Sequence, residues 1–342
     1  MYDAPHPSTA TNLILKNYSD LKVKTPIPFV VLATVNILNS SACDLCSVYS
    51  ENEAHGDLVK GFYSGVAEQF THFGTMQQDG EKVPNEAGQR MNSSITQLMI
   101  GYNVHERFGL QLNLPVIHRS FKRAEDLEID RGTVSGIGDM SLLGRACLYR
   151  NDDNGVTVAW NVLGGVKLPT GDSDRLQEEV DELTAPPLSP GGVESGIHGH
   201  DLALGSGSVD YVVGTSLFAR YKRAFVSANV QYAIRTKGDF DYRYANDLIW
   251  SGGPGVYLVL ENEWTLSLQL NVSGENKPRD TFQGDKAEDT GVRAVYMGPE
   301  LSVSWQGKLS AELGVDFPVD TANTALQLVP DYRARAGVTW RF

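Results

Sequence analysis

Residues 309–317 read Leu-Ser-Ala-Glu-Leu-Gly-Val-Asp-Phe, and residues 332–342 read Tyr-Arg-Ala-Arg-Ala-Gly-Val-Thr-Trp-Arg-Phe. Leu309, Ala311, Leu313, Val315 and Phe317 fall on one face of an extended chain. Ser310, Glu312, Gly314 and Asp316 fall on the other. A period of two is the strand period, because successive side chains of a strand point to opposite sides. Working back along the chain, residues 264–273 set Leu266, Leu268, Leu270 and Val272 against Thr265, Ser267, Gln269 and Asn271. Residues 224–235 set Ala224, Val226, Ala228, Val230, Tyr232 and Ile234 against Ser227, Asn229, Gln231 and Arg235. Weaker copies cover about 61–73, 93–104, 108–118, 138–150, 156–168, 208–220, 248–260 and 292–305, making twelve expected strands.

These strands are longer than the 5–6 residues usual in soluble sheets. Ten residues at about 3.3 Å each, tilted near 40°, span roughly 25 Å, the height of an outer-membrane apolar band. The connections alternate. Short ones fall near 104–107, 151–155, 221–223, 261–263 and 306–308. Long ones fall near 74–92, 119–137, 169–207, 236–247, 274–291 and 318–331. Short periplasmic turns, long extracellular loops and an even strand number are the asymmetry of a bacterial outer-membrane barrel. A soluble sandwich also alternates. Strand length, loop asymmetry and the terminal aromatic strand together decide for the barrel. Trp160, Tyr211, Tyr232, Trp250, Tyr257, Trp264, Trp305, Tyr332 and Trp340 lie mostly near strand ends, as interfacial girdles would; ordinary enrichment of aromatics in strands is the alternative.

The expected fold class is therefore an all-β transmembrane antiparallel up-and-down barrel over 58–342. A secretory signal is expected over 1–42. Lys16, Lys22 and Lys24 precede the apolar stretch 27–38, and Ser40-Ser41-Ala42 supply small residues for cleavage. A buried strand is the alternative reading of that stretch. Residues 43–57 are expected as a periplasmic segment carrying Cys43 and Cys46. Cleavage after Ala42 would leave Cys43 first, but Ser40 stands where a lipoprotein signal usually has Leu. The preferred reading is a disulfide or thiol pair in an oxidising compartment. A c-type haem needs His after the second Cys, and Ser47 is there instead.

The chain has 342 residues and a formal net charge of −13. No stretch is apolar enough for a transmembrane helix. Nucleic-acid binding is not expected, because phosphate contacts need a basic face. The inward parity collects Arg145, Lys167, Asp210, Arg220, Arg235, Glu312, Asp316, Arg333 and Arg335. These are the candidate lumen-lining residues. Glu312 and Asp316 lie on the strand before Arg333 and Arg335, so cross-strand ion pairs are expected; a charged constriction selecting solutes is the alternative. The loop 169–207 is acidic and ends in Gly-Ile-His198-Gly-His200-Asp201. His198, His200 and Asp201 are a candidate metal set through imidazole and carboxylate, against the reading of a solvated loop that attracts cations. No cofactor is expected. No catalytic motif is found either. A twelve-stranded phospholipase would need Ser and His together on the lipid side, and His118 with Ser120 is only a loose fit.

Several segments resemble the outer-membrane transporter family linked to the meta-pathway of phenol degradation, distantly like the fatty-acid and toluene channels. They are Gly136-Ile-Gly-Asp139, then Gly164-Gly-Val-Lys167-Leu-Pro-Thr-Gly-Asp172, then Leu204-Gly-Ser-Gly-Ser-Val-Asp210, and the closing Trp340-Arg-Phe342. In this order they span about residues 90–342. The resemblance implies a barrel in outer-membrane lipid that passes small, often hydrophobic or aromatic solutes by diffusion. The Cys pair is foreign to that pattern. It resembles the N-terminal pair of much larger barrels that sheath multihaem cytochromes. The alternative function is a structural or docking barrel that holds a periplasmic or redox partner through Cys43 and Cys46.

Overall fold

The computed structural model describes residues 60–182 and 185–342. The expected signal segment and the Cys43–Cys46 segment lie outside them. Twelve long strands form the wall. They are β1 (Gly61–Gln78), β2 (Arg90–His105), β3 (Phe108–Glu125), β4 (Ser141–Asp153), β5 (Val156–Lys167) and β6 (Asp210–Tyr221). The series continues with β7 (Ala224–Ile234), β8 (Asp247–Leu260), β9 (Trp264–Lys277), β10 (Val292–Trp305), β11 (Leu309–Asn323) and β12 (Leu326–Arg341). Each pairs antiparallel with the next. β12 returns to β1, in register from Tyr63 opposite Arg341 to Gln78 opposite Leu326. Closure leaves the wall without the free edge that lipid would penalise.

The twelve strands expected from the alternation are all present. The turns at the end that carries Lys60 and Phe342 are tight. Asn154 and Gly155, at φ of 52° and 76°, make the left-handed two-residue turn whose twist matches a hairpin. Among the described residues no helix is long and apolar enough to cross a membrane; the crossing is by strands.

Two expected loops are corrected. Much of 119–137 is strand: β3 runs on to Glu125, and an accessory strand Glu128–Ile137 pairs back along its upper half. The lower half of β3, from Phe108 to Asn113, pairs with β4 instead. The wall thus changes strand at Gly138-Asp139-Met140. The loop expected over 318–331 is a hairpin turning at Thr324-Ala325. Its two strands carry Pro318 and Pro330. In the sheet both sit at register shifts, where a missing amide proton is tolerated.

The two faces separate by chemistry. Leu217, Val226, Leu268, Leu270, Leu301 and Leu313 point outward and are exposed. Trp264 lies opposite Trp305 at the turn end of β9 and β10, with Trp340 and Tyr221 at the same end of their strands. An apolar belt with an aromatic rim is the surface a bilayer solvates. One girdle residue is corrected: Tyr257 turns inward, its ring 5.1 Å from Phe225, in a small apolar cluster with Ala159 and Phe218. The inward face carries Ser93, Gln97, Asn113, Asn161, Ser227 and Asn271, all buried.

The extracellular half of this interior is filled by the connection from β5 to β6, residues 168–209. It carries two short helices, α1 (Gln177–Glu182) and α2 (Gly199–Leu202). Leu176, Leu202 and Ala203 are fully buried, and Ile197 is nearly so. The sequence pointed to a solvated acidic loop. The alternation test is blind to such a segment, because its few apolar residues follow no period.

Candidate functional site

Three glycine-rich segments that stand far apart in sequence meet where the connection leaves and re-enters the wall. The Asp139 carboxylate accepts from the amides of Gly171 and Ser206, each at 3.0 Å, and from Lys167 Nζ. Lys167 Nζ also lies 2.9 Å from Asp210 Oδ2, and Arg235 Nη1 donates to the same oxygen at 2.9 Å. Ser208 Oγ and the Thr236 amide donate to Asp210 Oδ1. All four charged side chains are almost wholly buried. Two carboxylates face two cations, so the network is neutral, the condition under which buried charge is tolerated. Gly171 and Gly205 bring their backbones into contact, and a Cβ on either would lie 2.5–2.6 Å from the other segment. Close approach explains why these motifs are glycines.

A second network crosses the opposite side of the interior. Arg335 holds Asp316 at 2.9 Å and Glu300 at 3.1 Å. Arg333 lies 3.5 Å from Glu275 on β9 and stacks 3.8 Å over the Tyr296 ring. The expected pairing of the last two strands is found for Asp316 with Arg335. Arg333 instead reaches across the interior to Glu275. Glu312 is half-buried and lines a vestibule of about 320 Å³ at the periplasmic end with Arg150, Asp152, Arg220, Glu263 and Arg341. Arg220 donates to Thr157 there. Arg145 lines a smaller cavity of about 30 Å³ with Tyr63, Asn103 and Gln111. All nine sequence-selected residues thus face inward. They divide among two ion networks, the vestibule and this smaller cavity.

The plug meets the wall along an apolar seam. Ile197 and Leu202 pack against Phe73, Met76, Met91, Phe121 and Leu328 of the wall. Arg119 fixes the plug from below, donating to the carbonyls of Asp201 at 2.7 Å and Ala203 at 2.9 Å. Gln89 ties its far end, donating to the Glu194 carbonyl and accepting from the Gly196 amide.

The two histidines stand inside the plug. His200 Nδ1 is 2.9 Å from Glu179 Oε1, and its Nε2 is 3.5 Å from Asp201. His198 Nδ1 lies 3.4 Å from Glu182 and 3.3 Å from Asp289 of the segment that joins β9 to β10. Burial opposes charge on Glu179, but the neighbouring His200 and His198 hold its carboxyl down at about 2. Burial also opposes charge on His198, yet Glu182 and Asp289 outweigh it and raise the imidazole to about 9. His200, buried likewise, is pushed well above its usual range by Asp201 and Glu179. Of the expected trio, His198 and His200 stack with ring centres 5.8 Å apart. Asp201 also accepts from the His198 amide. Glu179 and Asp289 were not found from sequence, since nothing local marks either as a partner of His200. His118 faces outward and contacts Ser135, at 2.6 Å, rather than Ser120.

Neither a protein-family model nor a curated protein matches the sequence. Among solved structures, an outer-membrane channel from Pseudomonas putida F1 aligns over 83% of this chain and 97% of its own, with 15% identity and a TM-score of 0.57. The β domain of the Bordetella autotransporter BrkA aligns over 82% and 99% with 10% identity and a TM-score of 0.41. A FadL homologue from Pseudomonas aeruginosa aligns over 84% and 92% with 11% identity and a TM-score of 0.38. The last two overlaps are too loose to add to the fold assignment. Taken with the closed wall and its apolar belt, the first establishes the architecture: the chain is a twelve-stranded barrel of the bacterial outer membrane and shares its fold with an outer-membrane channel.

Proposed function

We propose that the chain is an outer-membrane channel that passes small, hydrophobic or aromatic compounds down their own gradient. The observation that carries this reading is the apolar seam between plug and wall. There Ile197 and Leu202 face Phe73, Met91 and Phe121, whereas the rest of the described interior is mostly polar and charged. An apolar solute entering from outside meets apolar side chains on both sides of the seam, and leaves by way of the periplasmic vestibule. A hydrated sugar gains nothing in the seam, because its hydroxyl groups would be desolvated without partners. The resemblance to the transporters of aromatic degradation supports the same solute class.

The test is solute entry into vesicles that carry the purified chain. A small aromatic solute should enter faster than a sugar of similar size. Placing a charge in the seam, Leu202→Glu, should abolish the preference. Entry of both solutes no faster than into protein-free vesicles would overturn the reading, and would favour a barrel that docks a partner.

A further inference from the structure

We infer that the plug holds a divalent transition-metal ion, of the zinc class, between Glu179, His200 and Asp289, and that this ion fastens two separate extracellular connections together. One donor atom from each of the three residues lies within 4.8 Å of the other two. Imidazole and carboxylate bind zinc at about 2.0–2.2 Å, which places tetrahedral donors about 3.4 Å apart. Bringing the three donors to that spacing requires side-chain movements on the order of 1 Å.

Charge points the same way. Four carboxylates, Glu179, Glu182, Asp201 and Asp289, are paired with only two imidazoles. With His200 counted as a neutral ligand and His198 as a cation, three negative charges are left over; Glu179 is buried and Asp289 largely so, while Glu182 and Asp201 reach solvent. A dication cancels two of those three charges, where a further apolar contact would cancel none. The surroundings also suit a ligand set. His198 lies beside the Asp289 carboxylate, in position to orient it. The His200 amide donates to Glu179 at 2.8 Å, and the Tyr244 hydroxyl donates to the His200 carbonyl at 3.1 Å. Both contacts fix the donors before any ion arrives. Glu179 and His200 belong to the connection 168–209, Asp289 to the connection between β9 and β10. An ion shared by the three is therefore a staple between loops. It stands on the geometry of the plug and not on the transport reading, so either can fail without the other.

The experiment uses the full chain without a histidine tag, extracted in detergent, stripped with chelator and titrated with zinc by calorimetry. Bound metal is counted by elemental analysis. Cobalt serves as a second probe, since its visible spectrum reports nitrogen and oxygen donors. The expected result is about one tightly held zinc ion per chain. Glu179→Gln, close to isosteric, and Asp289→Asn should each weaken it by more than about tenfold, and His200→Ala by more than about 100-fold. Heat-modifiable gel mobility identifies which variants remain closed barrels, and the comparison uses those. No stoichiometric binding by the wild-type chain would overturn the site. So would binding that survives unchanged in both Glu179→Gln and Asp289→Asn, because the ion would then sit elsewhere.

Discussion

Asp210 is wholly buried between Lys167 and Arg235, and both cations depend on its charge. Asp210→Asn keeps the shape and removes the charge that lies between Lys167 and Arg235. Breaking a buried pair in this way costs about 3–5 kcal/mol. Urea unfolding of the detergent-solubilised barrel should show that loss, and a change under about 1 kcal/mol would mean the network is hydrated. A second residue-scale case is the pair Gly252 and Gly253 in β8, at φ of 145° and 151°. A Cβ there would stand 2.2 Å from the Ser227 carbonyl oxygen and 2.0 Å from that of Leu270. Neither neighbour is a movable side-chain end. Gly253→Ala should therefore lower the heat-modifiable fraction recovered from membranes, whereas Ala228→Gly on the neighbouring strand should not.

At the scale of elements, the question is why some were legible and others were not. Strand β9 announces itself because its outward side chains, Leu266 to Val272, sit in the apolar belt while its inward ones are polar. The upper part of β3 alternates just as strictly in space. Its outward residues there are His118, Ser120 and Lys122, and its inward ones mix Ile117 and Phe121 with Arg119, so the outward face is not apolar and the period fades from the sequence. The ion pair of Asp316 with Arg335 could be read because its strands are consecutive and antiparallel. Arg333 with Glu275 could not, since the two strands are not neighbours and meet only across a closed interior. The plug was the least legible element. It is held by a few apolar residues and by backbone carbonyls that accept from Arg119. Leu202→Ala should remove about 2–5 kcal/mol from its docking. Protease cleavage within 168–209 on intact cells would then speed up while the wall stays closed; cleavage at the wild-type rate would show that the plug is not held by its seam.

For the whole molecule, the belt and the interior impose opposite demands on the same strands. Leu268 faces lipid midway along β9, and Gln269 beside it faces the interior, where it donates to Ser227 at 2.9 Å. Leu268→Arg should cost about 2–4 kcal/mol, falling toward zero for the same change near either interface. Equal costs at both depths would contradict a bilayer-spanning wall. The interior is a channel only if the plug is what closes it. Residues 173–203 can be removed without opening a gap in the backbone, because the Leu204 amide already donates to the Asp172 carbonyl at 2.9 Å. Conductance across a planar bilayer, measured for the wild-type chain and for this deletion, tests the central claim. The wild type should give small, brief currents and the deletion a steady conductance at least several-fold larger. The same current from both, in a barrel shown to be closed, would contradict it.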